Sequence, residues 1–278
     1  MKLSLSMWSV VSAVKAGRID LMGFIDFAAS QAVTGVELLD VFWDDAEREI
    51  PLAKERIADA GLELAVYSIS NNFIRPDEAD RRRELDELKR GVDIALALDV
   101  NLMRVFSGSY LEGLSQDEGM SWILEGLSAG AAYAKGLGVT LALENHGRFA
   151  GRSDQLYDII EGVGSPALRV NLDTGNFLPV GQDPLEAARD LADLIALVHL
   201  KDMRRAAADE PGHVVADLDG GLLTGSVIGE GLVDLPAMIA LLDEIGYSGW
   251  LSLEYEGADD PVRVGVPRSL DAARRLLP

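Results

Sequence analysis

The sequence predicts an α/β fold, and within that class a single closed (β/α)8 barrel spanning residues 1–278. Three observations carry this expectation. Strand-like and helix-like segments alternate from end to end, which implies parallel strands joined by right-handed crossovers. Eight such units fit in the chain at fairly regular spacing, which favours a closed barrel over an open sheet. The strand-like runs are short and apolar, as parallel strands buried on both faces are, and four of them end abruptly in polar residues.

Taken in order, KLSLSMW opens the chain, with Leu3, Leu5 and Met7 alternating as a first strand would. An early Lys beside apolar residues gives this segment a superficial likeness to a secretory leader. Its serines break the apolar stretch, so it is read as strand. A helix follows from about Asp20 to Ala32, then TGVELLD, then a helix from about Asp44 to Ala60. LELAVYSIS precedes the run Asp77–Leu98, whose mixed acidic and basic residues make a solvated helix face. NLMRVFSGS and a helix over Asp117–Leu137 come next, followed by VTLALENHG and a helix near Asp154–Val163. LRVNLDTGN, a helix at about Pro184–Leu194, ALVHLKD, a helix over Asp234–Ile245, WLSLEYEG and a final helix over Pro261–Leu276 complete the eight units.

One connection is long. Met203 to Gly231 carries Gly212, Gly220, Gly221, Gly225, Gly229 and Gly231, and a loop of that length reads as a lid or binding loop, or more plainly as a mobile surface insertion. Its Gly229-Glu230-Gly231 is too short for a nucleotide-binding loop, and Asp234 before Leu235-Pro236 reads as a helix N-cap. No GxGxxG follows the first strand, which counts against a dinucleotide fold.

Composition narrows the function classes. The formal charge is −21, from 25 Lys+Arg against 46 Asp+Glu, and such a field opposes nucleic acid and anionic membranes. No segment approaches the ~18 uninterrupted apolar residues of a membrane helix. There are no cysteines, hence no disulfide and no thiolate metal site, in keeping with a cytoplasmic location.

The polar strand ends point to chemistry. Glu144, Asn145 and His146 follow Leu141–Leu143, Asp173 follows Val170–Leu172, His199 follows Ala196–Val198, and Glu254 follows Trp250–Leu253. In a closed barrel all strands point their C-terminal ends to one rim, where active sites form. Singly, each residue has a structural explanation: Glu144 could pair with Arg148, and Asp173 could be an Asx-turn residue before Gly175. Jointly, three carboxylates in one cleft would repel, and a divalent cation removes the conflict. Glu144, Asp173, His199 and Glu254 are therefore read as ligands of one metal ion. The donor set suits Mn²⁺ first, with Mg²⁺, Co²⁺ or Zn²⁺ also compatible. Around them, Glu37 at the end of the second strand, His146 and Lys201 are candidate substrate contacts, with an ion pair the plainer reading of Glu37, which could also orient a ligand, and a structural salt bridge that of Lys201. Trp8 and Phe106 are candidate pocket walls, although aromatic residues at strand ends are more often core.

ALENHG, NLDTGN, VHLKD and the closing GEGLVDLPAMIALLDEIGYSGWLSLEYEG together resemble the xylose-isomerase-like TIM-barrel superfamily of sugar phosphate isomerases and epimerases. The resemblance covers essentially the whole chain. It implies the same four metal ligands, a small-molecule sugar substrate, and a dimer or tetramer. It further implies that Glu144 and Glu254 move protons: one removes a proton α to a carbonyl, the metal stabilises the enediolate, and the other returns a proton from the opposite face. Epimerases of this group carry a His three residues after the sixth-strand Asp, where this chain has Asn176, and a second Glu where it has Ala150; Asn176 can still contact a substrate hydroxyl by hydrogen bonding but cannot carry a proton as an imidazole can. Their Arg six residues beyond the seventh-strand His is retained as Arg205, a further substrate contact.

The expected activity is a metal-dependent isomerase or epimerase of a small sugar or keto-sugar. The alternative is a metal-dependent lyase that eliminates from an inosose-like keto-polyol or a 3-keto-glycoside, because the same proton abstraction starts both reactions. A DNA-repair endonuclease of the superfamily is disfavoured, since that chemistry needs a histidine-rich three-metal cluster and this chain has three His and a charge of −21. The expectation leans toward a neutral sugar, because Arg148, Arg152, Arg204 and Arg205 lie at the rim without a glycine-rich phosphate cradle.

Overall fold

Short polar residues punctuate the chain, and in the computed structural model, which describes residues 1–277, six of them cap helices. After β1 (Lys2–Ser6) and a short helix α1 (Val11–Lys15), the Asp20 carboxylate accepts the N–H of Gly23 and starts α2 (Leu21–Ser30). Asp45 caps α3 (Ala46–Asp59) after β2 (Gly35–Leu39), and Asp77 caps α4 (Glu78–Ala97) after β3 (Glu63–Ser68). Ser115 caps α5 (Gln116–Leu137) after β4 (Leu102–Val105). Then come β5 (Thr140–Glu144), α6 (Ser153–Val163), β6 (Leu168–Asp173) and α7 (Pro184–Asp190), the last capped by Asp183. β7 (Ile195–Leu200) leads to three short strands, β8 (Met203–Arg205), β9 (Val214–Ala216) and β10 (Leu222–Gly225). Asp234 caps α8 (Leu235–Glu244), and β11 (Trp250–Leu253) and α9 (Val266–Leu276) close the chain. Each such cap satisfies an N–H that the helix leaves free, worth about 1 kcal/mol.

Eight of the strands form one closed barrel in the order β1-β11-β7-β6-β5-β4-β3-β2, with every pairing parallel. This is the (β/α)8 barrel expected from the alternation. The excursion after β7 is more ordered than its glycines suggested: β8, β10 and β9 pair as a three-stranded antiparallel sheet. A single buried carboxylate ties both ends of this excursion together. Asp202 accepts the N–H groups of Met203, Gly229, Gly231 and Val233 at 2.9–3.2 Å, and a side chain at Gly231 would collide with it. The middle of the cap sheet rests on the β6–α7 loop, where Leu218 donates its N–H to the Pro179 carbonyl at 3.1 Å.

Alternation along the barrel strands separates two environments. Residues such as Leu3, Leu5, Val36, Leu38, Leu141 and Leu143 join the main core under the helices. The inner face changes character along its height. Near the N-terminal ends of the strands Ala65, Val66, Ala142 and Leu197 pack with Leu102 and Trp250, and the indole fits because residue 35, opposite, is glycine. One step further up, each of the eight strands supplies a buried polar side chain: Ser4, Glu37, Ser68, Arg104, Glu144, Asn171, His199 and Ser252. A barrel floor of apolar groups thus carries a polar layer, and the rim residues stand on that layer.

The helices pack closely where α5 is small. A Cβ on Gly126 would run into the ring of Phe73, which is buried and lies in the segment between β3 and α4. Gly126→Ala is therefore expected to cost about 1–3 kcal/mol, the usual range for overpacking a filled site. The shift in urea midpoint measures it, and an unchanged midpoint would show that the Phe73 contact yields freely.

Candidate functional site

Four strands bring the predicted cluster together. Ligand atoms of Glu144 (β5), Asp173 (β6) and His199 (β7) all lie within 4.8 Å of one another, and all three residues are buried. His199 Nδ1 stands 3.3 Å from Glu144 Oε2, 3.5 Å from Glu254 Oε2 and 4.0 Å from Asp173 Oδ2. Glu254, just past β11, adjoins the trio rather than completing it: its Oε2 also lies 3.6 Å from Lys201 Nζ.

Each carboxylate is held differently. Glu144 is the most tethered: Asn176 Nδ2 donates to Oε1 at 3.1 Å, Asn171 Nδ2 donates to Oε2 at 3.2 Å, and Arg104 Nε stands 3.3 Å from Oε2. Asp173 Oδ1 accepts the N–H groups of Gly175 and Asn176 in the Asx-turn arrangement the sequence allowed, while Oδ2 has no hydrogen-bond partner. The backbone of Asp173 is fixed from the next strand by Asn145, whose amide accepts its N–H at 2.6 Å and donates to its carbonyl at 2.9 Å. Glu37 lies on the far side of His199. Its Oε1 accepts from Ser68 and its Oε2 from Ser252, both at 2.6 Å, and Oε2 is 3.1 Å from His199 Nε2.

Burial and crowding set the protonation states. Burial raises Asp173, and its neighbours Glu254 and Glu144 add to this against the ammonium of Lys201, pushing its carboxyl up to about 8. Burial also opposes the charge on Glu254, but Lys201 and His199 outweigh it and hold that carboxyl below the usual carboxylate range. In Glu37, burial is likewise outweighed, by His199 and then Arg104. His199 and Lys201 are held well above their ordinary values: burial disfavours both charges, yet Glu37 and Glu254 around the imidazole, and Asp173, Glu256 and Glu254 around the amine, prevail.

The residues fit a divalent cation on two counts. Asp173 Oδ2 and His199 Nδ1 are buried, face one another's neighbours, and make no hydrogen bond. In addition, five carboxylates (Glu37, Glu144, Asp173, Glu254 and Glu256) meet only two fixed cations, Arg104 and Lys201. An oxygen-rich set with one imidazole suits a hard-to-borderline ion.

Above the cluster lies a cavity of about 220 Å³ between the rim and the cap sheet. His146, Asn176 and Lys201, all expected as substrate contacts, line it. Lys201 Nζ is within 2.6 Å of Glu256 and 3.2 Å of Asn176 Oδ1. The His146 side chain has access to solvent, but it sits in a crowded mouth against Phe106, at 5.0 Å between ring centroids, and burial lowers its pKa. Two expected contacts stand elsewhere. Glu37 is wholly buried beneath His199, and Arg205 lies on β8, exposed, with its guanidinium on Asp217. Of the other rim arginines, Arg152 pairs with Asp154 and Arg204 with Glu210, whereas Arg148 stacks on Tyr110 and lines the cavity.

Sequence reasoning missed Arg104, Asn171, Asn145 as a brace, Glu256 and His213. Glu256 accepts from Trp8 Nε1 at 2.6 Å and joins this cavity to a neighbouring cleft; His213, on the approach to β9, lines both. Glu256 was legible, since it repeats the inward register of Glu254 two residues on. Arg104 was not, because a lone Arg in LMRV reads as a strand end.

A family model described as a xylose isomerase-like TIM barrel matches residues 25–276. An inosose dehydratase of Geobacillus kaustophilus is 26% identical over 226 residues, covering 74% of this chain and 71% of that protein. A putative hydroxypyruvate isomerase of Streptomyces coelicolor is 26% identical over 254 residues, covering 84% and 85%. Among solved structures, a D-tagatose 3-epimerase-like protein superposes with a TM-score of 0.78 at 21% identity, covering 99% of this chain and 97% of that one.

The brace on Asp173 gives a direct test of the geometry. Asn145→Ala would leave the Asp173 N–H and carbonyl buried without these partners, and at roughly 1–3 kcal/mol per group the variant should lose about 2–6 kcal/mol. Chemical denaturation at constant pH reads this, and a loss below about 0.5 kcal/mol would mean that the backbone finds other partners.

Proposed function

The chain belongs to the xylose isomerase-like TIM barrel family, and from that premise we propose that it is a divalent-metal-dependent isomerase or epimerase of a small sugar or keto-sugar. The observation that carries this reading is the convergence of Glu144, Asp173 and His199 on one point, with Glu254 adjoining, next to a cavity whose lining includes Asn176, Lys201 and Glu256. Glu144, Asp173, His199 and Glu254 would hold the ion, Mn²⁺ first among the candidates. When bound, it would polarise a substrate carbonyl and so acidify the neighbouring C–H.

The residues divide the remaining tasks. Glu144 is tied by Asn176, Asn171 and Arg104, so it is oriented and slow to move. The Glu254 carboxylate has only ionic neighbours, Lys201 and His199, and it is the better placed of the two to take the α-proton. In an epimerase Glu144 would return a proton from the other side. Asn176 and Lys201 line the cavity and can hold substrate hydroxyl groups, while the cap sheet screens the reacting carbon from water.

A second reading, elimination from a keto-polyol or 3-keto-glycoside, is favoured by Lys201. Its ammonium lines the cavity 3.6 Å from Glu254, where it can protonate a departing hydroxyl once the α-proton is gone. Asn176, standing where the epimerases carry a histidine, removes one proton carrier from the epimerase scheme. The inosose dehydratase relative is consistent with this direction.

Proton NMR in D₂O with ketoses, keto-inositols and 3-keto-glycosides separates the two. A product of unchanged composition with deuterium at the α-carbon supports isomerisation or epimerisation, and an unsaturated product supports elimination. Glu254→Gln should lower turnover about 10²–10⁴-fold in either case, and Glu144→Gln should weaken metal uptake as well. A native protein that takes up no Mn²⁺, Co²⁺ or Zn²⁺ and exchanges no α-proton would end this reading.

The protonation states predict how uptake varies with pH. With its carboxyl near 8, Asp173 carries a proton at neutral pH in the metal-free protein, and a cation must displace it. His199, held well above its ordinary value, must give up a proton as well, so apparent affinity should rise by about tenfold or more per pH unit between about pH 6 and about pH 8 and go on rising less steeply above that. Calorimetry in buffers of differing ionisation heat should register net proton release at pH 7. A flat profile would mean that Asp173 is ionised before the metal arrives.

A further inference from the structure

Glu37 is wholly buried inside the barrel, at the opposite edge of the His199 ring from Glu144, Asp173 and Glu254. A carboxylate in that position is costly unless something compensates it. Three groups do. Ser68 on β3 and Ser252 on β11 each donate a hydroxyl hydrogen at 2.6 Å, one to each oxygen. The third is the His199 ring, whose Nε2 stands 3.1 Å from Oε2, close but not aligned as a hydrogen bond. The serines fix the position of the carboxylate, and the carboxylate faces one particular edge of the imidazole. The opposite edge, Nδ1, faces Glu144, Glu254 and Asp173.

We propose that Glu37 is a positioning residue: it keeps the His199 ring proton on Nε2, so that Nδ1 presents its lone pair to the cation site. This role of Glu37 rests on the reading of the cluster as a cation site and specifies which imidazole nitrogen is the ligand and what orients it. A neutral imidazole has one N–H and one lone pair, and the partner of the first decides where the second points. A carboxylate can only accept, so it selects the nitrogen beside it as the N–H. Its charge also makes the ligating nitrogen a stronger donor. Ser68 and Ser252 serve the same end at one remove, by preventing the Glu37 carboxylate from rotating away.

The chain has three histidines, so a long-range ¹H–¹⁵N map of ¹⁵N-histidine-labelled protein contains three ring systems and His199 can be assigned by substitution of the other two. In the Zn²⁺-loaded protein, His199 should show a protonated Nε2 and a metal-shifted Nδ1. Glu37→Ala should weaken Zn²⁺ binding about 10–100-fold, the range for loss of a residue that orients a metal-bound histidine, and should blur the tautomer. Glu37→Gln, which keeps an acceptor oxygen, should recover part of both. Ser252→Ala, which removes one anchor of the carboxylate, should weaken binding by a smaller factor, and it carries the test together with Glu37→Gln if the alanine variant of Glu37 does not fold. A native protein with Zn²⁺ on Nε2 overturns the proposal. So do Glu37 and Ser252 variants with native affinity and native tautomer, while both results leave the cation-site reading intact. A native protein that binds no Zn²⁺ or Mn²⁺ removes that reading and this one with it.

Discussion

The structure depends on how it keeps charge inside a closed barrel. Seven ionisable side chains grouped around the cation site, Glu37, Arg104, Glu144, Asp173, His199, Lys201 and Glu254, are at least nine-tenths buried, and Asp202 beside them is buried as well. Taking even one isolated charge out of water costs several kcal/mol after relaxation. The chain meets this cost by grouping the charges so that each has opposite neighbours, and by arranging short polar side chains between them. Ser68 and Ser252 hold Glu37, Asn171 and Asn176 hold Glu144, and Asn145 holds the backbone of Asp173. The balance is deliberately short of positive charge, and that shortfall is what makes the cluster a candidate for a cation.

Much of this was open to reading from the chain alone, because strand ends in parallel barrels are simple to see. An apolar run that stops at Glu144, Asp173, His199 or Glu254 announces both the strand and the rim. The layer below the rim was hidden. It is written in the alternate residues of the strands, such as Ser252 in WLSL or Asn171 in LRVNLD, and these look like ordinary breaks in hydrophobicity until the barrel closes. Arg104 is the extreme case, since only the parallel pairing of β4 with β5 gives its guanidinium a carboxylate to face. Arg205 erred in the other direction. Its offset from His199 matched a family pattern, but its strand belongs to the cap sheet, where Asp217 lies within reach. The internal pairing of the long connection was hidden for a related reason: glycines advertise turns, but the antiparallel pairing between them depends on residues too short in run to show a period.

The same economy explains the acidic surface in part. Asp20, Asp45, Asp77, Asp183 and Asp234 contribute to the charge of −21, and each is spent on a helix start, where the exposed N–H groups favour a carboxylate. Helix starts lie below each loop that leads off the barrel rim, so these caps also fix where the rim loops end. Precision at the site is therefore supported from outside the barrel as well as from its interior.

Asp202 has a consequence for how such a protein can change. Its carboxylate gathers the first residue of the cap excursion and the residues that end it into one knot, three positions beyond His199. Whatever lies between the two ends leaves and returns through the same point. The intervening sheet can thus be lengthened, shortened or exchanged during evolution with little disturbance to the register of β7 or β11. The barrel and its charged layer behave as a fixed socket, and the roof above it as an interchangeable fitting, so that relatives sharing the socket can diverge in what they admit.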